Sequence, residues 1–116
     1  MKEFALLFRM NITSPERQPT SQQMKEYMEH WTAWVQGISE KGSVIGGTHF
    51  SKDGWVLKSG GDVSQGPYVD AEKQSVAGYI IVSCNDVETA LDIARQCPIL
   101  NGSETSVEIR ETASPG

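Results

Sequence analysis

Two segments of the chain are apolar on both faces of a predicted strand. In residues 3–10 and again in residues 76–84, large apolar side chains occupy odd and even positions alike. Such strands are expected where a sheet is covered on both sides. The residues concerned are Phe4, Ala5, Leu6, Leu7, Phe8 and Met10 in the first segment, and Tyr79, Ile80, Ile81, Val82 and Cys84 in the second.

The segment after the first strand has the three-and-four spacing of an amphipathic helix. Thr20 and Gln23 form a capping-box pattern at its start, and Gly42 is the expected left-handed residue after its end. Gly37 is its weak point, because glycine within a helix costs about 1 kcal/mol relative to alanine. The apolar stripe, predicted to pack on the sheet as core, comprises Met24, Tyr27, Met28, Trp31, Trp34, Val35 and Ile38.

A second helix is predicted between residues 85 and 97. Asn85 and Glu88 form another capping-box pattern at its start, and Pro98 ends it. A helix of this kind would cover the same face of the sheet as the first. Its predicted apolar stripe comprises Val87, Ala90, Leu91 and Ala94.

The middle of the chain predicts two short strands and a long loop. Residues 44–50 and 55–57 are predicted strands joined by a hairpin turn, in which Asp53-Gly54 is a strong turn signal. Gly46-Gly47 predicts a bulge or a close approach to the backbone. Residues 59–75 are polar and glycine-rich, and a loop of this length is often functional.

The element order predicts an α+β fold of the ferredoxin-like βαββαβ type, with an antiparallel sheet and a small hairpin elaboration. A last strand over residues 106–110, with Val107 and Ile109 directed inward, completes it. Residues 1–116 are expected to form a single domain, with a frayed tail over residues 112–116. Because two helices cover only one face of such a sheet, we expect a second copy to bury the other face and form a homodimer.

The composition excludes several classes of function. The chain has 10 basic and 15 acidic residues, a net charge of −5, and no lysine or arginine cluster that would bind nucleic acid or an anionic membrane. Cys84 and Cys97 make neither a disulfide framework nor a zinc site. No apolar run has the length of a signal peptide or a membrane span. A cytoplasmic protein with reduced thiols and no cofactor is therefore expected.

Residues 65–81 contain the most specific motif of the chain. Gln65-Gly66-Pro67-Tyr68 is followed by Asp70, Glu72 and Lys73, and then by Ala77-Gly78-Tyr79-Ile80-Ile81. This run resembles the YCII-related family, and within it the larger branch that carries an Asp-Gly-Pro-Phe signature. The resemblance extends in one register over essentially the whole chain, at Trp31, Trp34, Gly42, Gly46-Gly47, Asp86-Val87-Glu88, Cys97-Pro98 and Val107-Glu108-Ile109-Arg110. It implies a dimeric α+β barrel, in which two ferredoxin-like units pack through their sheets.

The chain departs from this family at two positions. Gln65 stands where the motif has an aspartate, so a possible general base is replaced by a group that only forms hydrogen bonds. The histidine that smaller members carry early in the first long helix is missing, and His30 lies later in that helix. Relatives in the same superfamily are small enzymes or ligand binders, and the resemblance leaves both classes open.

Candidate chemistry centres on His49 and on the turn at Gly66-Pro67. His49 is expected to share an inward face of its strand with Ile45, and it is the only group of the predicted pocket that moves a proton near pH 7. Asp70 is the candidate carboxylate that would orient it in catalysis. The predicted ligand-binding residues are Gln65, Gly66, Pro67, Tyr68 and Glu72.

Structural interpretations stand beside these functional ones. His49 fits a hydrogen-bonded residue at a strand end, His30 fits an exposed helix position, and Gly66-Pro67-Tyr68 fits a purely structural turn. The spacing of the histidines and carboxylates supports no metal site, and none is predicted. Two functions stay open. One is a homodimer that binds a small organic molecule near the turn, and the other is a small cofactor-independent enzyme that uses His49 with a loop carboxylate for acid/base chemistry.

Overall fold

The computed structural model describes residues 1–12 and 19–113, which contain six strands, two α-helices and two short 3-10 turns. The predicted frayed tail lies partly outside them, at residues 114–116. The strands are β1 (Lys2–Asn11), β2 (Ser43–His49), β3 (Trp55–Leu57), β4 (Val63–Gln65), β5 (Gln74–Cys84) and β6 (Thr105–Glu111). The helices are α1 (Ser21–Gly37) and α2 (Val87–Arg95), and the 3-10 turns are Ile38–Glu40 and Pro98–Asn101.

Four strands form one antiparallel sheet in the order β2-β5-β1-β6. In its centre, Leu6 of β1 pairs with Ile80 of β5 on one side and with Ile109 of β6 on the other. The two segments that are apolar on both faces thus become the two central strands. With both helices on one face, this order confirms the predicted ferredoxin-like α+β fold.

The core lies between the sheet and the helices. Phe8 of β1 contacts the indole rings of Trp31 and Trp34 edge-on, at centroid distances of 4.8 and 6.0 Å. Such ring pairs contribute about 0.5–1.5 kcal/mol each beyond their area burial. Trp34 also donates a hydrogen bond from Nε1 to the backbone carbonyl of Ile93, at 2.9 Å, and so ties α1 to α2.

The start of α1 agrees with its sequence, but its buried face differs in part. The capping box is present, with reciprocal hydrogen bonds between Thr20 and Gln23. Met24 and Met28, predicted as core, are 43% and 39% exposed. The two large indoles occupy the space above β1, so the methionines remain at the flank of the stripe. The residues that α1 and the following turn direct to the core are Tyr27, Trp31, Trp34, Val35 and Ile38.

Two helix ends also differ from the prediction. The N-cap of α2 is Asp86 rather than Asn85, because the Asp86 carboxylate accepts a hydrogen bond from the N–H of Thr89. Gly42 is not left-handed; a Cβ there would lie 2.5 Å from the carbonyl oxygen of Ser83, so β5 requires the glycine. The residues that α2 buries are Ala90, Ile93 and Ala94, whereas Val87 is 43% exposed.

The predicted hairpin between β2 and β3 is wrong. β3 pairs instead with β4, a strand inside the predicted loop, and forms a separate two-stranded sheet. Its turn uses Gly60 and Gly61, at φ values of +98° and +100°, and is closed by a hydrogen bond from the N–H of Lys58 to the carbonyl of Asp62. Two successive positive φ angles favour glycine. The hairpin turn therefore forms at Gly60-Gly61 and not at Asp53-Gly54, where the sequence signal predicts it.

The face of the main sheet away from the helices is uncovered. Leu7 of β1 and Tyr79 and Ile81 of β5 point to it and are only half-buried. Phe50 packs beside Tyr79, with ring centroids 6.0 Å apart, and is 50% exposed. The second apolar face of the central strands therefore lies open on a flat molecule with principal extents of 43 × 41 × 20 Å.

β2 contains the bulge predicted from Gly46-Gly47. Its pairing with β5 shifts between Val44 and Gly46, which leaves Ile45 as the extra residue. Gly47 lies so close to β5 that a Cβ would come within 2.4 Å of the carbonyl oxygen of Tyr79. At Gly46 a Cβ would meet no atom within 4 Å.

We expect Gly47→Ala to lower the free energy of unfolding by about 2 kcal/mol or more, because the added methyl group collides with the backbone of β5. Gly46→Ala is the matched control and should change this free energy by less than about 1 kcal/mol. Urea denaturation of both variants measures the difference. Equal losses in the two variants would contradict the close approach at Gly47.

Candidate functional site

His49 ends β2 on the helix-facing side of the sheet. It pairs with Gly78 of β5, and Gly78 pairs with Phe8 of β1. The indole of Trp31 lies between the two flanking rings, with its centroid 4.8 Å from that of Phe8 and 4.7 Å from that of His49. Gly78, in the middle of this row, has no side chain, and the exposed imidazole packs against the indole.

A cavity of about 270 Å³ opens beside His49, between α1 and β2. Its walls are mainly apolar and combine Trp31 and Val35 of the helix with Gly47 of the bulged strand. Thr48 and His49 bring polar groups to it. Binding sites for small molecules are typically concave, largely apolar spaces of this kind with a few polar groups.

The bulge changes how His49 comes to face this cavity. Strand alternation predicts that His49 shares an inward face with Ile45. Ile45 is instead the extra residue of the bulge and is 56% exposed. One added residue reverses the alternation, so His49 shares the helix-facing side with Val44 and Gly47. His49 does face the helices, but its predicted neighbour is wrong.

The Gly66-Pro67-Tyr68 turn is fixed by its backbone. Gly66 has φ +103°, a conformation that favours glycine, and its N–H donates to the carbonyl of Gly54 at 2.6 Å. Pro67 packs closely against Gly54, where a Cβ would lie 3.2 Å from Pro67 Cα. The carbonyl of Tyr68 accepts from Ser75 Oγ at 2.6 Å, while the Tyr68 residue is 71% exposed. The turn therefore presents the Tyr68 ring outward.

The Asp70 carboxylate caps the turn that leads into β5. Its Oδ1 accepts hydrogen bonds from the backbone N–H groups of Glu72 and Gln74, each at 2.9 Å. Its Oδ2 lies 3.8 Å from Nη1 of Arg9. Glu72 and Gln65 are exposed. The structure thus gives Asp70 a role in shaping the loop.

The predicted site residues form two groups along β5. His49 pairs with Gly78, and Tyr68 is bonded to Ser75, three residues earlier in that strand. Three residues of extended strand span roughly 10 Å, which exceeds the reach of a direct hydrogen bond. None of residues 65–72, all of which the structure describes, lines the cavity beside His49.

A polar cluster on the uncovered sheet face is not predicted from the sequence. Arg9 Nη2 lies 2.8 Å from Glu108 Oε1, and this hydrogen bond lowers the pKa of Glu108. Arg110 Nη1 lies 3.5 Å from Glu108 Oε2, and Ser106 Oγ donates to Gln74 Oε1 at 2.6 Å. The sequence feature that indicates this cluster is the alternation along β6, which directs its even-numbered residues from 106 to 110 to one face.

Three further observations concern candidate groups and segments of the described residues. Within residues 1–12 and 19–113, no three histidine, cysteine, aspartate or glutamate side chains come together so that they could hold a metal ion. His30 is exposed on α1, as predicted. No helix in the described part of the chain is long and apolar enough to cross a membrane.

The family assignment comes from a comparison with family models. The YCII-related domain matches residues 6–113, which span almost the whole chain. The chain belongs to the YCII-related family. A search of the curated proteins gives no match. In this YCII-related protein, the cavity beside His49 and the turn at Gly66 both lie within the family domain.

We expect Asp70→Ala to lower the free energy of unfolding by about 1–2 kcal/mol, because two backbone N–H groups lose their acceptor. Glu72→Ala, at an exposed position of the same turn, is the control and should stay within about 0.5 kcal/mol of the unmodified protein. Thermal and urea denaturation measure both. A loss in Asp70→Ala no larger than that in Glu72→Ala would contradict the capping role.

Proposed function

We propose that this YCII-related protein is a homodimer that binds a small organic molecule in the cavity beside His49, and not at the Gly66-Pro67-Tyr68 turn that the sequence predicted. The observation that carries the proposal is the cavity of about 270 Å³, with an aromatic wall and one imidazole. The apolar body of a ligand fits the Trp31 wall. The imidazole supplies a hydrogen-bond donor or acceptor.

The amount of exposed surface supports the dimer. The chain has an accessible surface of 7776 Å², whereas a compact monomer of 12.7 kDa exposes about 6,200 Å². The excess of roughly 1,500 Å² is larger than the about 800 Å² that each partner buries in a standard interface. The radius of gyration, 15.4 Å, likewise exceeds the roughly 13 Å expected for a compact chain of this length.

The uncovered sheet face has the chemistry that a self-associating surface needs. Leu7, Tyr79 and Ile81 supply apolar area, and Arg9 and Glu108 supply both signs of charge on the same face. Under a twofold axis the same patch meets itself, and a patch that carries both signs of charge allows opposite charges of the two copies to meet. Burial of the apolar side chains then provides the main driving force.

Binding is favoured over acid/base catalysis by the contacts of Asp70. The enzyme hypothesis needs a carboxylate that orients His49 through a hydrogen bond. Asp70 Oδ1 already accepts two backbone N–H groups, and Oδ2 faces Arg9. His49 itself lies against the Trp31 ring. This arrangement suits a polar contact within a binding pocket.

The proposed setting is the cytoplasm, without nucleic acid or membrane partners. Burial raises the pKa of the Cys97 thiol to about 11 and also raises the pKa of Cys84, so both thiols stay protonated at neutral pH. Both cysteines are free and buried. The net charge of −5 disfavours contact with phosphate backbones and anionic lipids.

We expect the protein to sediment at twice its chain mass at micromolar concentration. Leu7→Lys should shift it to monomer and lower its unfolding temperature, because a buried charge in the interface is costly and the open sheet face cannot stand alone. Met28→Lys, a control on the helix layer, should leave the dimer intact. A stable monomer of the unmodified protein in sedimentation equilibrium would contradict the proposal.

We expect a thermal-shift screen of small organic metabolites to give a ligand whose stabilisation is lost in His49→Ala. A ligand present at about 100 times its Kd adds about 2.7 kcal/mol of stability. Tyr68→Ala and His30→Ala, both outside the cavity, should leave the shift unchanged. A stabilising ligand that does not respond to His49→Ala would place the binding site elsewhere.

A further inference from the structure

A groove on the helix layer is separate from the cavity beside His49. It has a volume of about 380 Å³ and lies between the last turns of α1 and the segment that follows α2. Trp34, Ile38 and Ile93, all buried in the core, contribute to its apolar floor, and Pro98 adds to it. The floor of the groove is thus formed by residues that are packed in the core rather than by exposed side chains.

Among the described residues, the ionisable side chains around this groove are basic and none is acidic. His30 and Lys41 stand on the α1 side, and Gln96 and Asn101 add two amide groups. No aspartate or glutamate among the described residues lines the groove, although the chain holds 15 acidic against 10 basic residues. Lys41 forms no ion pair with any residue in the described ranges. Its ammonium group is therefore available to an anion from outside.

Gly37 lies in the same groove, and the fold does not require a glycine there. Its φ and ψ are −71° and −19°, which any residue adopts, and a Cβ would meet no atom within 4 Å. A glycine within a helix is unfavourable relative to alanine. Since Gly37 lines the groove together with His30 and Lys41, the missing side chain keeps its volume open.

We propose that this groove binds a small organic anion, namely a carboxylate with an aromatic or branched apolar body. The body packs on the floor formed by Trp34 and Pro98. The carboxylate pairs with the Lys41 ammonium through a charge-assisted hydrogen bond. The amide N–H groups of Gln96 and Asn101 are further donors for carboxylate oxygens.

The probe for this site is phenylacetate, and the readout is the indole N–H signal of Trp34 in ¹H–¹⁵N spectra. That N–H bonds to the carbonyl of Ile93, which lines the groove, so ligand binding moves the signal. We expect a saturable shift with phenylacetate, a clearly weaker one with the neutral phenylacetamide, and none with inorganic phosphate, which lacks the apolar body. No shift with millimolar phenylacetate would overturn the proposal.

Three variants test the groove independently of the site beside His49. Lys41→Gln should weaken phenylacetate binding roughly tenfold, since the hydrogen bond to a charged donor is lost. Gly37→Leu should abolish binding by filling the groove, yet unfold at the same or a higher temperature because leucine favours the helix. Lys25→Gln, which removes a lysine of α1 outside the groove, should bind normally. Unchanged affinity in Lys41→Gln or Gly37→Leu would refute the site.

Discussion

Trp31 packs one indole ring between Phe8 and His49, over a row in which Gly78 has no side chain. This contact joins the long helix to the central strand β1 and to the edge strand β2. It thereby sets the distance between α1 and β2 and keeps the cavity beside His49 open. The core and the candidate site depend on the same ring. One side of the Trp31 indole packs against Phe8 in the core, and the other side forms a wall of the cavity beside His49.

Much of the main sheet follows from local patterns, since period-two alternation and capping are properties of neighbouring residues. The two central strands, the start of α1 and the inward Val107 and Ile109 are visible in this way. The β3–β4 pairing is not, because it depends on positive φ angles and on pairing between separate segments. Gly46-Gly47 signals the bulge in β2, but only the register with β5 shows that Ile45 is its extra residue. A single extra residue in β2 is enough to reverse the expected faces around it.

In the candidate site, too, the sequence indicates the residue types but not the contacts that they make. His49 and the turn at Gly66 stand out as residue types in the sequence. The hydrogen bonds that give Asp70 its capping role involve Glu72 and Gln74, and they become visible only with the turn geometry. The contact between Arg9 and Glu108 joins residues 99 positions apart, so it follows from the β1–β6 register alone. Sequence spacing does not encode such a pair, whereas the register, in which Arg9 pairs with Ser106 and Leu7 with Glu108, brings the two side chains to neighbouring positions on one face.

Glycine serves three distinct purposes in this fold. At Gly47 and Gly78 a Cβ would collide with the backbone of a neighbouring strand, so the sheet itself demands the residue. At Gly66 the positive φ demands it. At Gly37 neither reason applies, and the helix would be more stable with alanine. The remaining physical effect of that glycine is the space it leaves beside Lys41, on the helix layer and away from the sheet face of the proposed dimer.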